Sequence, residues 1–211
     1  MKKGLAVIYR RLYSYFGPQH WWPAQSRFEV MVGAVLTQNT SWLNVEKAIS
    51  NLKSRDLLEA RILYNLPDTK LAGLIRPAGY YNIKAKRLKN FLRFFMERYQ
   101  GSINKIASAD TGPLRRELLN VNGIGPETAD SILLYALDKP VFVVDAYTKR
   151  ILLRCGLIKE SADYDEIQGF FTRRLRKDVK LFNEYHALLV KLGKDFCLKR
   201  KPRCSACPLK S

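Results

Sequence analysis

Apolar residues recur every three to four positions along most of the chain, and this spacing places them on one face of an α-helix. The segment 27–36 shows the pattern in Phe28, Met31 and Val35, and the polar residues that begin at Gln38 end it. The same spacing, together with capping residues, predicts further helices over 41–52, 56–63, 83–99, 111–119, 126–137, 145–156, 163–177 and 179–192. Since 140–144 is the one extended run, the pattern predicts an all-α fold.

The helix predicted over 83–99 is strongly amphipathic. We expect its apolar residues to face the core, namely Leu88, Phe91, Leu92 and Phe95. We expect its basic residues to face solvent, namely Lys84, Lys86, Arg87 and Lys89. Helical layers around a cleft would suit elements of this kind.

The charge of the chain indicates a polyanionic partner. Its 211 residues include 37 Lys and Arg against 19 Asp and Glu, a net charge of +18 that is spread along the chain. Such a charge favours DNA or RNA, because counterion release from the phosphates drives binding. A solubilising surface is the alternative that charge alone leaves open. The sequence shows neither a secretory signal nor a long uncharged apolar run, so we expect a cytoplasmic protein without a membrane partner.

The segment 118–129, LLNVNGIGPETA, has the composition of a tight turn between two helices. Gly123 and Gly125 allow the backbone to turn sharply and to approach another backbone closely. Pro126 suits the first turn of the next helix, whose free N–H groups point towards the turn. This arrangement predicts a site for one phosphate of a nucleic-acid strand. An ordinary turn between helices is the alternative.

Asp145 follows the apolar run 141–144 and precedes a predicted helix. An Asp in this place commonly caps the helix through its side-chain oxygen. It is also a candidate catalytic carboxylate at the wall of a cleft, where it could activate water or stabilise a cationic sugar. The two roles are compatible, because a cap also fixes the orientation of the carboxylate.

Three of the four cysteines lie close together with the spacing C-x6-C-x2-C. In a reducing compartment, Cys197, Cys204 and Cys207 predict metal ligation before disulfides. Cys155 stands apart from them, and we expect it to be a buried helix residue.

Together these motifs resemble the helix-hairpin-helix base-excision DNA glycosylases of the endonuclease III type. The glycine hairpin precedes Asp145 and a helix that bears Arg150, as in that family. The segment 35–40, VLTQNT, matches the family's segment before its base pocket. The segment 186–193 leads into Cys197 as the family's last helix leads into its iron-sulfur loop.

The resemblance covers almost the whole chain and implies two all-α domains. One is a central domain over 26–139 that contains the helix-hairpin-helix. The other joins 1–25 to 140–211 and carries the Cys-rich loop. In this family double-stranded DNA with a damaged base binds in the cleft between the domains of a monomer.

The resemblance also assigns roles to single residues. It implies that Asp145 is the catalytic carboxylate and that Gln38 fills the gap left in the duplex by the flipped base. It implies contacts with the DNA backbone for Gly123, Gly125, Thr128 and Lys149. Without the resemblance, Gln38 would be interpreted as a polar residue that ends a helix.

The three tryptophans, Trp21, Trp22 and Trp42, are candidate walls of the base pocket. Indole rings suit a flat cationic base through stacking and cation–π attraction, and N-alkylated adenine carries such a charge. The segments 21–23, 34–40 and 75–82 resemble the 3-methyladenine branch of the family, so we expect an alkylpurine substrate. Core packing is the ordinary alternative for the tryptophans. A mismatch-specific thymine or uracil glycosylase is the alternative function.

Glu127 occupies the position where bifunctional members of the family carry a Lys. A carboxylate cannot form a Schiff base with the sugar, so we expect a monofunctional glycosylase that uses water as nucleophile. A bifunctional glycosylase and lyase that uses Lys139, Lys149 or another amine remains an alternative. A non-catalytic DNA-binding module is a further one.

The resemblance implies a [4Fe–4S] cluster on Cys197, Cys204 and Cys207. The family's pattern continues with a fourth Cys that would fall just beyond Ser211 and is not found in this chain. A truncated chain, a ligand other than Cys and loss of the cluster are the alternatives. Zinc fits a set of three thiols less well. The family further implies a monovalent cation bound by carbonyl groups of the hairpin.

Overall fold

The structure is a computed structural model of the chain, and it describes residues 4–210. Within that range there is no β-strand, which confirms the all-α prediction. The described residues form α1 (Leu5–Phe16), α2 (Arg27–Leu36), α3 (Trp42–Lys53), α4 (Ala60–Asn65), α5 (Asp68–Leu74), α6 (Tyr81–Tyr99), α7 (Ile103–Ser108), α8 (Thr111–Leu119), α9 (Pro126–Ser131), α10 (Ala146–Arg154), α11 (Tyr164–Thr172) and α12 (Val179–Asp195). A π-helical segment, 132–136, follows α9, and two 3-10 turns lie at 76–78 and 204–206. Between residues 4 and 210, no helix combines the length and the apolar character needed to cross a membrane.

The helices belong to two compact units. Residues 24–139 form the central unit, which contains α2 to α9, and residues 4–23 with 140–210 form the terminal unit. In the central unit, α6 packs against α2, α4 and α5. In the terminal unit, α12 packs against α1 and α10.

Helix α2 forms the middle of the central unit. Ser26 begins it, because its hydroxyl accepts a hydrogen bond from the Glu29 N–H at 3.1 Å. Every residue from Phe28 to Leu36 is buried, and Glu29, which pairs with Lys53 at 2.7 Å, is the one charged residue among them. The helix is therefore buried all round rather than on one face. The polar turn that contains Gln38 directly follows this buried helix.

An aromatic cluster that includes Phe142 forms part of the core of the terminal unit. The rings of Phe142 and Phe171 stack with centroids 3.7 Å apart. Phe182 and Tyr185 meet this pair edge-on, each with a centroid distance of 5.4 Å. Edge-on and stacked pairs of this kind stabilise a core beyond the area they bury.

Some sequence predictions of local structure are wrong. The helix expected from Asp56 begins at Ala60, because Asp56 takes a left-handed φ of 52° in the turn that closes α3. The helix expected to Lys177 ends at Thr172. Cys155 is exposed rather than buried, since it lies at the C-terminal cap of α10.

Lys84 also departs from the prediction, because it faces the core rather than solvent. It is 1% exposed. Its ammonium donates to the carbonyl oxygens of Leu36 at 2.8 Å and Ala78 at 2.7 Å. These hydrogen bonds offset the cost of burying the amine and tie the end of α2 to the 3-10 turn.

Candidate active site and hairpin

Asp145 lies at the end of a buried, irregular run. The predicted strand over 140–144 has no partner strand, so side chains of α11 bind its backbone instead. The Gln168 amide donates to the Phe142 carbonyl at 2.7 Å, and the Val144 N–H donates to the Tyr164 hydroxyl at 3.3 Å. The run is thereby fixed against the core and holds Asp145 at the first turn of α10.

Both oxygens of the Asp145 carboxylate have partners. Oδ1 accepts a hydrogen bond from the Thr148 N–H at 2.7 Å, which confirms the predicted helix cap. Oδ2 lies 3.5 Å from Nε2 of His186 on α12. The carboxylate is 11% exposed and the imidazole 7%.

These partners decide the ionisation of Asp145. Burial raises the pKa of the carboxyl, but its interactions with His186 and Thr148 lower the pKa by more. The net result is a pKa below the ordinary value for Asp. Asp145 is therefore an anion at neutral pH.

The sequence predictions did not assign a role to His186. The signal for it was a titratable residue inside the otherwise apolar run from Tyr185 to Val190, all of which is buried. A buried imidazole needs a polar partner. Sequence periodicity does not reveal that the partner is Asp145, the N-cap of α10, which lies more than forty residues earlier in the chain.

The glycine hairpin joins α8 to α9. Gly123 has φ +95°, and a Cβ there would approach Arg87 Cγ to 2.3 Å, so glycine is required both by conformation and by space. Gly125 has φ −91°, which any residue can adopt, and a Cβ there would meet nothing within 4 Å. The lack of a side chain at Gly125 leaves the hairpin backbone open to an approaching molecule.

Gln38 is brought together with this hairpin. Its Nε2 donates to the Gly123 carbonyl at 2.9 Å and to the Thr128 hydroxyl at 3.0 Å. Its Oε1 accepts from the guanidinium of Arg87, whose stem lies over Gly123. Thr128 is 6% exposed, and its buried hydroxyl accepts the hydrogen bond from Gln38.

The predicted base-pocket tryptophans are all partly exposed. Trp21 and Trp22 lie in the terminal unit with ring centroids 5.6 Å apart. The Lys194 ammonium lies over the Trp21 ring, 5.8 Å from its centroid. Trp42 begins α3 in the central unit, where its indole N–H donates to Glu46 at 2.6 Å. Their contact with a base stays a prediction.

The two lysines considered as alternative nucleophiles donate to backbone carbonyls. Lys139 is buried, and its ammonium binds the carbonyls of Ala107, at 3.0 Å, and Ala109. The Lys149 ammonium binds the Ala162 carbonyl at 2.7 Å. Both amines fix neighbouring loops, and the phosphate contact expected of Lys149 stays a prediction.

The iron-sulfur cluster expected on the cysteine loop stays a prediction. Cys204 is exposed, and Cys197 and Cys207 are half-buried. Among residues 4–210, no three His, Cys, Asp or Glu side chains are arranged to hold a metal ion. Cys197 Sγ instead accepts from the Arg154 guanidinium at 3.4 Å. We therefore derive no step of the chemistry from an iron-sulfur cluster or from zinc.

Comparison with known proteins agrees with these motifs. A family model described as HhH-GPD superfamily base excision DNA repair protein matches residues 32–177. A protein of Methanocaldococcus jannaschii, provisionally named a DNA repair glycosylase, is 57% identical over 205 residues, which cover 96% of this chain and 92% of that protein.

Solved structures share the fold. The H. pylori 3-methyladenine DNA glycosylase bound to 1,N6-ethenoadenine has a TM-score of 0.78 and 32% identity, and the match covers 90% of this chain and 97% of that one. A trapped endonuclease III–DNA covalent intermediate has a TM-score of 0.85 and 21% identity, over 99% of this chain and 93% of that one. The predicted family is thus confirmed: the chain belongs to the HhH-GPD superfamily of base excision DNA repair proteins.

Proposed function

We propose that this member of the superfamily is a monofunctional DNA glycosylase that removes an alkylated purine from double-stranded DNA. The observation that carries the proposal is the Asp145 carboxylate, which its partners keep ionised at the start of α10. The flipped base is cut from its sugar by hydrolysis, and the products are the free base and an abasic site.

The ionisation of Asp145 suggests its part in the reaction. As the N-glycosidic bond breaks, the bonding electrons leave with the base and the sugar becomes oxocarbenium-like. An anionic carboxylate stabilises that cation and orients a water molecule, whose oxygen bonds to C1′ while its proton passes to surrounding water. An N-alkylated adenine already carries a positive charge, so it departs as a neutral base without protonation by an acid.

Two features support hydrolysis over a lyase reaction. Glu127 stands where a Schiff-base lysine would be needed, and a carboxylate cannot form one. The ammonium groups of Lys139 and Lys149 bind backbone carbonyls. A bifunctional enzyme would have to release one of these amines from its loop.

The hairpin and the net charge of +18 support DNA binding. The open backbone at Gly125 suits a phosphate, and Gly123 shapes the turn that presents it. Gln38 can enter the gap left by a flipped base after it exchanges its hydrogen bonds to Gly123, Thr128 and Arg87. A hydrogen bond to a neutral group contributes about 1 kcal/mol and one to a charged group such as the Arg87 guanidinium about 1.5–3 kcal/mol, so new bonds to the DNA bases must offset their loss.

Two observations support the alkylpurine substrate. The H. pylori relative at 32% identity is a 3-methyladenine DNA glycosylase with a modified adenine bound. The Trp21 ring already attracts the Lys194 ammonium, which indicates that its face suits a cation. A mismatch-specific thymine or uracil glycosylase remains the second candidate, since an indole ring also stacks on neutral bases.

The test is release of free base from methylated duplex DNA by the wild type, Asp145→Asn and the matched control Glu160→Gln, an exposed carboxylate of the same unit. We expect Asp145→Asn to lower the single-turnover rate by about 10²–10⁴-fold and the control to leave it unchanged. Strand breaks should form only after alkali. Wild-type release by Asp145→Asn would overturn the catalytic assignment, and a covalent adduct trapped by borohydride would overturn the monofunctional one. Release of only mismatched pyrimidines would replace the substrate.

A further inference from the structure

We propose that His186 is the positioning residue for Asp145: its imidazole holds one carboxylate oxygen while the Thr148 N–H holds the other. This inference rests on the proposed function, because it concerns the carboxylate that acts there. Neither the helical pattern nor the family motifs assign His186 a part in the reaction.

The geometry gives Asp145 two restraints from different elements. Thr148 belongs to the same helix turn, and its N–H restrains Oδ1 at 2.7 Å. His186 comes from α12 and restrains Oδ2 at 3.5 Å. A carboxylate held at one oxygen can rotate about that contact, whereas a carboxylate held at both has one orientation.

The distance between Asp145 and His186 is set by the packing of α10 on α12. Gly193 on α12 makes room for the Tyr147 ring of α10, since a Cβ there would lie 2.3 Å from that ring. The Arg150 guanidinium then donates to the carbonyls of Gly193 at 3.1 Å and Cys197 at 2.8 Å. These contacts fasten the two helices at the end away from His186, so the imidazole is delivered to a fixed place.

The burial of His186 is otherwise costly. The imidazole lies among apolar residues of α12, including Leu189 and Val190. Burying a polar ring costs free energy unless a partner satisfies it. Asp145 is that partner, which explains why a titratable residue occupies this helix face.

Most of the other charged groups on α1, α10 and α12 contact groups outside the pair. These contacts join Lys149 with Ala162, Arg150 with Gly193 and Cys197, Arg154 with Leu198 and Lys199, Arg11 with Lys210, Glu184 with Gln19, Lys191 with Asp195, and Lys194 with the Trp21 ring, while Arg10 and Lys180 are exposed to solvent. The neutral Tyr185 hydroxyl donates to the Leu5 carbonyl. Tyr9 on α1 stacks edge-on against Tyr185. His186 is the side chain that the geometry assigns to Oδ2 of the Asp145 carboxylate.

Loss of His186 has a definite sign. The interaction with His186 lowers the pKa of Asp145, whereas burial raises it. Without the imidazole, burial prevails and the carboxyl takes up a proton at a higher pH. Base release should then fail first at acidic pH.

The experiment measures single-turnover base release from methylated duplex between pH 5 and 8.5. The variants are His186→Leu, His186→Gln, Asp145→Asn and the double variant Asp145→Asn/His186→Leu. His20→Gln is the matched control, since His20 is the other histidine of the chain and is exposed. Binding to an uncleavable duplex and the thermal midpoint are measured for each variant.

We expect His186→Leu to lower the rate by about ten- to hundredfold at pH 5 and less at pH 8, because the acid limb moves to higher pH. His186→Gln restores much of the rate near neutral pH, since its amide can donate to Oδ2. Duplex binding and the His20→Gln control stay within about twofold of the wild type, and His186→Leu adds no loss in the Asp145→Asn background.

A purely structural role predicts something else. His186→Leu would then lower the rate by the same factor at every pH, and the loss would multiply with that of Asp145→Asn. Either result overturns the inference about His186. The proposed function is still supported in that case, provided that Asp145→Asn has lost base release. If Asp145→Asn keeps the wild-type rate, the proposed function fails first. If His186→Leu does not fold, the pH profile of base release by His186→Gln tests the inference instead. The inference predicts that the acid limb of this profile lies at higher pH than in the wild type, and an unchanged limb would overturn it.

Discussion

Asp145 in the terminal unit and Lys84 in the central unit are both removed from water, but their surroundings differ. Asp145 faces an imidazole and a helix N–H, and these interactions lower the pKa of its carboxyl despite burial. Lys84 faces two backbone carbonyls. Burial, with a smaller contribution from Arg87, lowers the pKa of its amine to about 8.

The same direction of shift has opposite consequences. A lowered pKa keeps the charge on a carboxylate and removes it from an amine. Asp145 is thus held in the charged form on which the proposed hydrolysis relies. Lys84 needs only to donate two hydrogen bonds, which both its ammonium and its neutral amine can do. We infer that one buried group is maintained for its charge and the other for its hydrogen bonds.

The largest expected effect that tests this contrast is on stability, in Lys84→Met. Methionine fills the space of the stem but leaves the carbonyls of Leu36 and Ala78 without a donor. An unsatisfied buried acceptor costs about 1–3 kcal/mol, so we expect the free energy of unfolding to fall by about 2–4 kcal/mol. Urea denaturation measures this loss.

Lys86→Met is the matched control, because Lys86 lies on the same helix and is exposed. It should change the free energy of unfolding by less than about 0.5 kcal/mol. Equal losses in the two variants would contradict a hydrogen-bonding role for Lys84. Since Leu36 precedes the turn that holds Gln38, Lys84→Met should also weaken duplex binding.

Lys84 also shows where sequence prediction failed. Position 84 lies four residues before Leu88, so the helical period places it on the apolar face of α6. The prediction followed residue type, because lysines are rarely buried, and placed it in solvent. The carbonyls that accept its hydrogen bonds come from the end of α2 and a 3-10 turn. Their positions depend on tertiary packing that no local pattern contains.

The next effect is on the pH dependence of stability. With a pKa of 10.5 in the unfolded chain and about 8 in the folded one, Lys84 binds more protons in the unfolded state between these values. Stability therefore rises with pH in this window, and the cost of burying the charge is fully present below pH 8. The slope from one such group is at most about 1.4 kcal/mol per pH unit.

Urea denaturation of the wild type and Lys84→Met at pH 8, 8.5 and 9 measures this slope. The difference in the free energy of unfolding between the two proteins should grow as the pH rises. Lys86→Met is again the control, because it shows how much the free energy of unfolding changes with pH when an exposed lysine of the same helix is removed. A difference that stays constant with pH would show that the amine keeps its ordinary ionisation.

The candidate site was predictable to the extent that its residues are local in sequence. The cap at Asp145 followed from an Asp between an apolar run and a helix, and the hairpin followed from Gly123 and Gly125. The partners of these residues were not predictable. His186 reaches Asp145 through the packing of one unit, and Arg87 reaches Gln38 through the packing of the other; each pair is separated by more than forty residues in sequence.

The smallest expected effect separates the two roles of Asp145, as helix cap and as charge. Asparagine caps a helix about as well as aspartate does, whereas alanine cannot accept the hydrogen bond from Thr148. Asp145→Ala should therefore lower the free energy of unfolding by about 1 kcal/mol relative to Asp145→Asn, while both variants lose base release alike. Urea denaturation and single-turnover base release on the same preparations make the comparison. A rate of base release more than about tenfold higher in Asp145→Asn than in Asp145→Ala would contradict this expectation. It would mean that a neutral amide, held in the same orientation as the carboxylate, also contributes to the reaction.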